Sequence, residues 1–276
     1  MKTEATLYAK IAKRLKEIDQ NLEEFYLLLK TSMLDDLDPQ LRMYIQELIE
    51  IETSKQAENL KKLQAVVRKR NIRRLVHFTS LENLESILVY GLVPVASHKE
   101  IQISAQLNDT KRKDQRKDLN SLSVSFPNHM LLYRFMHDYP HRRWVILAIS
   151  VDILFSNQHE KYFCPSNAAA IMPSVSDDRQ LSTAEAFEDM FKDEYNTWKR
   201  KLSRSAGYIS KSYTTDPQAE IMIGGVIERE YITQVIFRCN EDLIYYYNRF
   251  GKNFLDGINV TINTAFFQKR KAVYCE

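Results

Sequence analysis

The sequence predicts an α+β protein in which a helical segment over residues 1–70 precedes a mixed domain over residues 71–276. Two observations carry this reading: a regular apolar stripe near the amino terminus and a change of hydrophobic pattern at Asn71. Ile11, Leu15, Ile18, Leu22, Phe25 and Leu29 are spaced 4, 3, 4, 3 and 4 apart, which lines one face of a helix at nearly heptad period over residues 6–30. Asp38 followed by Pro39 reads as an N-cap with proline at the first helical position, opening a second helix through Leu41, Ile45, Leu48, Leu60, Leu63 and Val67. The pair makes a helical hairpin or short bundle. Its stripe packs on the second helix, on the neighbouring domain or on a partner. The opposite face is mixed charge without a cluster of His or carboxylates, so no chemistry is expected there.

From Leu75 onward short apolar runs alternate with turn signals. Leu75 to Thr79 reads as a strand, residues 81–90 as a helix stopped by Gly91, and residues 121–126, 144–151, 218–223 and 234–238 as further strands rich in Val and Ile or alternating at period 2. Ser182 with Glu185 forms a capping-box signature for an accessory helix carrying Ala186, Phe187, Met190, Phe191, Trp198 and Leu202.

Composition removes several function classes. No window approaches the roughly 18–20 apolar residues of a membrane span, and the amino terminus lacks an apolar signal core, so a soluble cytoplasmic protein is expected. Cys164, Cys239 and Cys275 are far apart, which suggests neither a disulfide framework nor a zinc site. With six glycines and no Gly-x-Gly-x-x-Gly, P-loop, His-Glu-x-x-His or Gly-x-Ser-x-Gly, the familiar nucleotide, metal-hydrolase and serine-hydrolase patterns are missing. A net charge of +3 says little about partners; what matters is where the basic residues cluster.

Four polar clusters remain. His77 and Thr79 end an apolar run, with Asn83 in the helix that follows; a His so placed is either a hydrogen-bonded core residue or a ligand contact. The run from Asn108 to Asp118, with Lys111, Arg112, Lys113, Arg116 and Lys117, is either a solvated loop or a source of guanidinium for a diphosphate or nucleic-acid backbone. Phe163 to Ala170 reads as packing. Glu220 lies in the apolar run that continues through Ile221 to Ile223, and either faces solvent on an edge or is held in a cleft.

In this order and wording the clusters resemble the DarT family of bacterial toxins, ADP-ribosyltransferases related in fold to diphtheria-toxin and PARP-type enzymes. The resemblance covers roughly residues 72–240: His77-Phe-Thr79 with Asn83-Leu84 and Ile87 to Leu92; Asp109, Arg112, Asp114 and Asp118; Leu122 to Asn128; Phe163-Cys164 with Asn167 to Ala169; and Thr215 to Glu220. It implies a mixed β core with accessory helices, NAD as the ADP-ribose donor and no metal. It implies that His77 and Thr79 hold NAD together with Asn83, that Arg112 contacts NAD and assists the reaction, and that Glu220 is the catalytic glutamate. Arg116 takes the place of Arg112 if the loop register slips by four. A carboxylate is suited to this role because breaking the bond to nicotinamide builds positive charge on the ribose.

The family acts on bases of single-stranded DNA, which must be held unstacked by basic and aromatic residues. Lys111, Lys113, Arg116 and Lys117 are expected to contact that strand, and Tyr133 to Trp144 offers a second basic and aromatic stretch or a solvated helix end. The Lys-rich wording of residues 111–117 is closer to the family branch in which guanine can be the target than to the thymidine-specific branch. The expected protein is thus a toxin of a toxin–antitoxin or phage-defence system, with an antitoxin partner that binds through the amino-terminal helices. The alternatives are the same chemistry on RNA bases, and a non-catalytic nucleic-acid-binding module of the same fold.

Overall fold

The computed structural model describes residues 39–103, 105–106, 116–197, 201–205, 209–270 and 274–275. The helix expected over residues 6–30 and the Asp38 cap lie outside them. The chain divides into two compact units, Met1–Glu58 and Asn59–Glu276. Helix α1 (Pro39–Arg70) runs through the division. Its part in the first unit exposes Met43 and Ile51. In the second unit Leu63, Val66 and Val67 are buried in the main core, so the last turns of a helix that the sequence assigns to the amino-terminal segment belong physically to the domain that follows.

The remaining elements are β1 (Leu75–Ser80), α2 (Leu84–Tyr90), β2 (Leu119–Val124), α3 (His129–Asp138), β3 (Trp144–Ile149), β4 (Lys161–Cys164), α4 (Ala168–Ile171), α5 (Ala184–Asp189), β5 (Glu194–Asn196), β6 (Lys201–Ser203), β7 (Glu220–Gly224), β8 (Ile232–Phe237), α6 (Asn240–Phe250), β9 (Asn259–Ile262) and β10 (Tyr274–Cys275). Seven strands form one sheet in the order β4-β7-β2-β1-β3-β8-β9, and β10-β6-β5 form a second. Within the large sheet only β8 and β9 run parallel.

Both faces of the large sheet are covered, which is why β3 is buried at every residue and reads as a continuous apolar run. Leu75, Val145, Leu147, Ile149, Val235 and Phe237 face a core shared with α1 and α2. Val76, Ile146 and Ile236 face the other way, onto Leu132 and Phe135 of α3, Trp144 and Phe267.

Three expectations are corrected. The capping pair is displaced by one residue: Thr183 caps α5 by accepting from the Ala186 amide at 3.1 Å, while Glu185 pairs with Lys62 at 3.1 Å. The accessory helix stops at Asp189 and does not reach Leu202, which lies in β6. The Met190 carbonyl takes the Thr215 amide at 2.9 Å instead of continuing the helical ladder. Trp198 lies outside the described residues. Finally, β2 ends at Val124 and not at Phe126, because Ser125 at φ 62° turns the chain out of the sheet.

Gly91 ends α2 at φ 81° and ψ 180°, a conformation open almost only to glycine. A Cβ there would lie 2.6 Å from the Ile227 carbonyl oxygen, whose residue bridges back to Leu92. Gly91→Ala is therefore expected to destabilise the fold by about 2 kcal/mol or more, read as a lowered denaturant midpoint at unchanged slope. A midpoint equal to wild type would show that the approach is relieved at no cost.

Candidate functional site

β1 pairs with β3 along all six residues from Leu75 to Ser80, but with β2 only at Leu75↔Val124 and Val76↔Ser123. Past Val76 the ladder between β1 and β2 stops. His77 is the next residue, and its Nδ1 donates to the Ser121 carbonyl at 2.9 Å, a group the ladder would otherwise occupy. Because a carbonyl only accepts, this bond places a proton on Nδ1 and makes Nε2 the acceptor of the neutral ring.

Ser121 carries the connection onward. Its hydroxyl donates to Glu220 Oε1 at 2.8 Å, and the Ala168 amide donates to Glu220 Oε2 at 2.7 Å. Glu220 opens β7 opposite Cys164 of β4 and is 8% exposed. Asn167 caps α4 by accepting from the Ala169 amide at 3.1 Å, which fixes the turn that aims the Ala168 amide. The carboxylate is thus buried and held on an interior strand, which sets aside the reading of a solvent-facing edge residue. The Phe163 to Ala170 cluster, read as packing, contributes the Ala168 amide as one of its donors. Ser121 and the Ala168 amide were not foreseen, since a serine in a strand and a backbone amide carry no sequence signal of their own.

The approach to Glu220 is equally fixed. Asp216 accepts from Ser166 Oγ at 2.6 Å and from the Gln218 amide at 2.8 Å, a local turn that delays the start of β7 to Glu220. Two buried arginines hold the preceding backbone: Arg204 donates to the Ser210 and Tyr213 carbonyls at 3.0 and 2.6 Å, and Arg270 to those of Thr214 and Thr215 at 2.7 and 3.2 Å. Burial lowers the Arg204 guanidinium below its usual range.

Thr79 and Asn83 are buried together, with Asn83 Nδ2 donating to Thr79 Oγ1 at 3.0 Å. The same amide donates to the Gln106 carbonyl at 3.0 Å, Asn83 Oδ1 accepts from the Gln106 amide at 2.7 Å, and Ser80 Oγ donates to Gln106 Oε1 at 3.0 Å. Asn83 ends the 3-10 helix Leu81–Asn83, which runs directly into α2, so the helical stretch expected over residues 81–90 begins as a 3-10 turn. Lys111, Arg112 and Lys113 lie outside the described residues. At the far end of that segment Arg116 pairs with Asp118 at 3.0 Å and Asp178 at 2.6 Å and lies over the Tyr162 ring, 5.3 Å from its centroid. Hydrogen bonding to Asp118 outweighs desolvation and raises the Arg116 guanidinium above its ordinary value. Lys117 is exposed. On β4 burial draws the Lys161 ammonium down to about 8.

Of the basic and aromatic stretch, Phe135 and Trp144 stack on each other in the core at 6.0 Å, whereas Tyr133 and Tyr139 are exposed. A groove of about 550 Å³ beyond Ser80 is lined by Glu82, Gln106, Tyr139, Arg142, Arg143 and Arg249, among others. Among the described residues no group of three or more His, Cys, Asp or Glu is placed to hold a metal, and no helix is long and apolar enough to cross a membrane.

A family model described as "DarT: ssDNA thymidine ADP-ribosyltransferase, DarT" matches residues 76–268. No curated protein sequence matches the chain. Among solved structures, the chain is similar to one described as "Thermosipho africanus DarTG in complex with ADP-ribose", at 15% identity and TM-score 0.48, covering 71% of this chain and 51% of that one. The chain thus spans about half the length of that relative. It is also similar to "Thermus sp. 2.9 DarT in complex with NAD+", at 13% identity and TM-score 0.43, covering 71% of this chain and 98% of that one. A third, "Thermus sp. 2.9 DarT in complex with ADP-ribosylated ssDNA", has 13% identity, TM-score 0.46 and coverages of 72% and 97%.

The Asn83 clamp makes a prediction independent of any activity. Asn83→Ala removes the acceptor of the Gln106 amide, whose hydrogen exchange should accelerate about tenfold or more. Unchanged exchange at Gln106 would show that the segment is held by other contacts.

Proposed function

The chain belongs to the DarT family, and from that premise we propose that it transfers ADP-ribose from NAD to a base of single-stranded DNA, with Glu220 as catalytic carboxylate. The observation that carries the reading is the orientation of Glu220: buried, at a strand end, with one oxygen fixed by Ser121 Oγ and the other by the Ala168 amide. A carboxylate has about four acceptor directions, so these two bonds set its aim and are compatible with further bonds to ribose hydroxyls. Preorganised charge of this kind acts where positive charge develops.

NAD supplies the reactive glycosidic bond: the ribose carbon parts from nicotinamide and joins a ring nitrogen of the base, which gives up its proton. His77, oriented by Ser121, offers a fixed imidazole to the donor, and Thr79 lies two residues on along the same strand. Arg112 is assigned a donor contact and a role in favouring the deprotonated base. Asn83 supports Thr79 and Gln106 and acts on NAD through them. Lys111, Lys113 and Lys117 are assigned to the nucleic-acid backbone. Arg116 is assigned the same role, although its pairs with Asp118 and Asp178 favour anchoring the segment.

The family description names thymidine, whereas the Lys-rich wording of residues 111–117 favours a target that includes guanine. We assign the protein to a toxin–antitoxin or phage-defence system in the cytoplasm. The apolar stripe from Ile11 to Leu29 supports an antitoxin or other protein partner that docks on the amino-terminal segment.

The test is mass spectrometry of defined single-stranded DNA and RNA oligonucleotides incubated with the chain and NAD. DNA strands should gain one ADP-ribose and identify the base. Modification of RNA alone would transfer the chemistry to the other polymer, and no modification of either would leave a non-catalytic binding module. Glu220→Gln should lower kcat by about 100-fold or more. Ser121→Ala should lower it about tenfold with little change in the dissociation constant of NAD, since it removes orientation and not a donor contact.

A further inference from the structure

Glu220 is held from two sides that are built differently. Ser121 belongs to β2, which pairs with β7 from Leu119↔Gly224 to Leu122↔Ile221, so the sheet itself sets the distance between its hydroxyl and the carboxylate. The Ala168 amide has no such frame. The β4–β7 ladder ends at Cys164↔Glu220, and Ala168 lies past that end, yet its amide returns to Glu220 Oε2 at 2.7 Å.

Asp216 closes the span between the two segments. Its Oδ2 accepts from Ser166 Oγ at 2.6 Å, between Cys164 and Ala168, and its Oδ1 accepts from the Gln218 amide at 2.8 Å on the way to Glu220. Its main-chain carbonyl accepts from Thr214 Oγ1 at 2.7 Å and from the Ala219 amide at 3.1 Å. Asp216 is 1% exposed, and Ser166 is buried with it. A turn alone would be made as well by an exposed Asp, whereas burying a carboxylate is costly unless its bonds and nearby cations offset the loss of water. Arg204 and Arg270 bring that positive charge to the adjacent backbone of Tyr213 to Thr215. Resting on the function proposed above, we propose that Asp216 and Ser166 are positioning residues for ADP-ribose transfer: their bond keeps the Ala168 amide on Glu220 and so fixes the angle of the carboxylate. They act through Ala168 and Glu220 and not on the substrates. The sequence pattern did not disclose the pair, because its members lie 50 positions apart.

The experiment compares the full chain with Ser166→Ala, which removes the donor, and Asp216→Asn, which keeps the shape and replaces a charged acceptor by a neutral one. Each is measured for its single-turnover rate on a single-stranded DNA oligonucleotide at saturating NAD, its dissociation constant for NAD, and hydrogen exchange at the Ala168 amide. Ser166→Ala should lower the rate about tenfold, leave NAD affinity within about twofold and speed Ala168 exchange about tenfold or more, while exchange at Leu147 of β3 stays as in the parent. Asp216→Asn should act in the same direction by a smaller factor, and Ser166→Thr, which restores the hydroxyl, should recover the rate. A parent-like rate in Ser166→Ala, a lowered rate with Ala168 exchange unchanged, or a loss carried by NAD affinity would each overturn the positioning role while the function stands. Equal acceleration at Leu147 would reduce the bond to a general brace of the fold and overturn it likewise. A parent chain that modifies no strand would overturn the transferase reading, and the positioning role with it.

Discussion

The organisation of the site depends on one interruption, the end of the β1–β2 ladder after Val76↔Ser123. A fully paired sheet would consume its backbone groups within the ladder. Here the Ser121 carbonyl turns to the His77 ring, while the Ser121 hydroxyl takes Glu220. One residue therefore orients both the His77 ring and the Glu220 carboxylate, through its main chain on one side and its side chain on the other. The flanking pairings keep the gap narrow: β1 is held along its length by β3, and β2 by β7. The strands that border the gap cannot drift without breaking ladders in a doubly covered sheet.

Much of this was legible in the sequence. The apolar runs placed five of the large-sheet strands with small errors, and the acid inside the run ending at Ile223 stood out because apolar strands rarely carry one. The polar ends of the runs marked where His77 and Thr79 would sit. Less legible were features that depend on partners distant along the chain. The Asn83 amide is shared between Thr79 and Gln106, and its Oδ1 takes the Gln106 amide, a clamp that no local pattern discloses. Nothing local in Phe163 to Ala170 announces that its turn will present an amide to an acid 52 residues later.

The errors have the same origin. An N-cap at Ser182 and one at Thr183 differ by a single register step, and Asn59 favours the latter, its Oδ1 accepting from the Ala184 amide at 2.7 Å. The overlong accessory helix was reasonable on spacing. It ends because Thr215 claims the Met190 carbonyl, a bond across the fold that also helps carry the chain toward Glu220. Tertiary demand overrode local propensity where the chain serves the site.

The segment between Gln106 and Arg116 is bounded by two unrelated sets of bonds. Ser80 and Asn83 grip its start, and Asp118 and Asp178 grip its end. Neither set includes His77, Ser121 or Glu220. A stretch clamped at both margins can change its length or wording at modest entropic cost without loosening either clamp. Evolution can exchange it as a cassette. The bonds that aim the Glu220 carboxylate and the His77 ring lie outside both clamps, so a change of that stretch leaves their geometry as it stands.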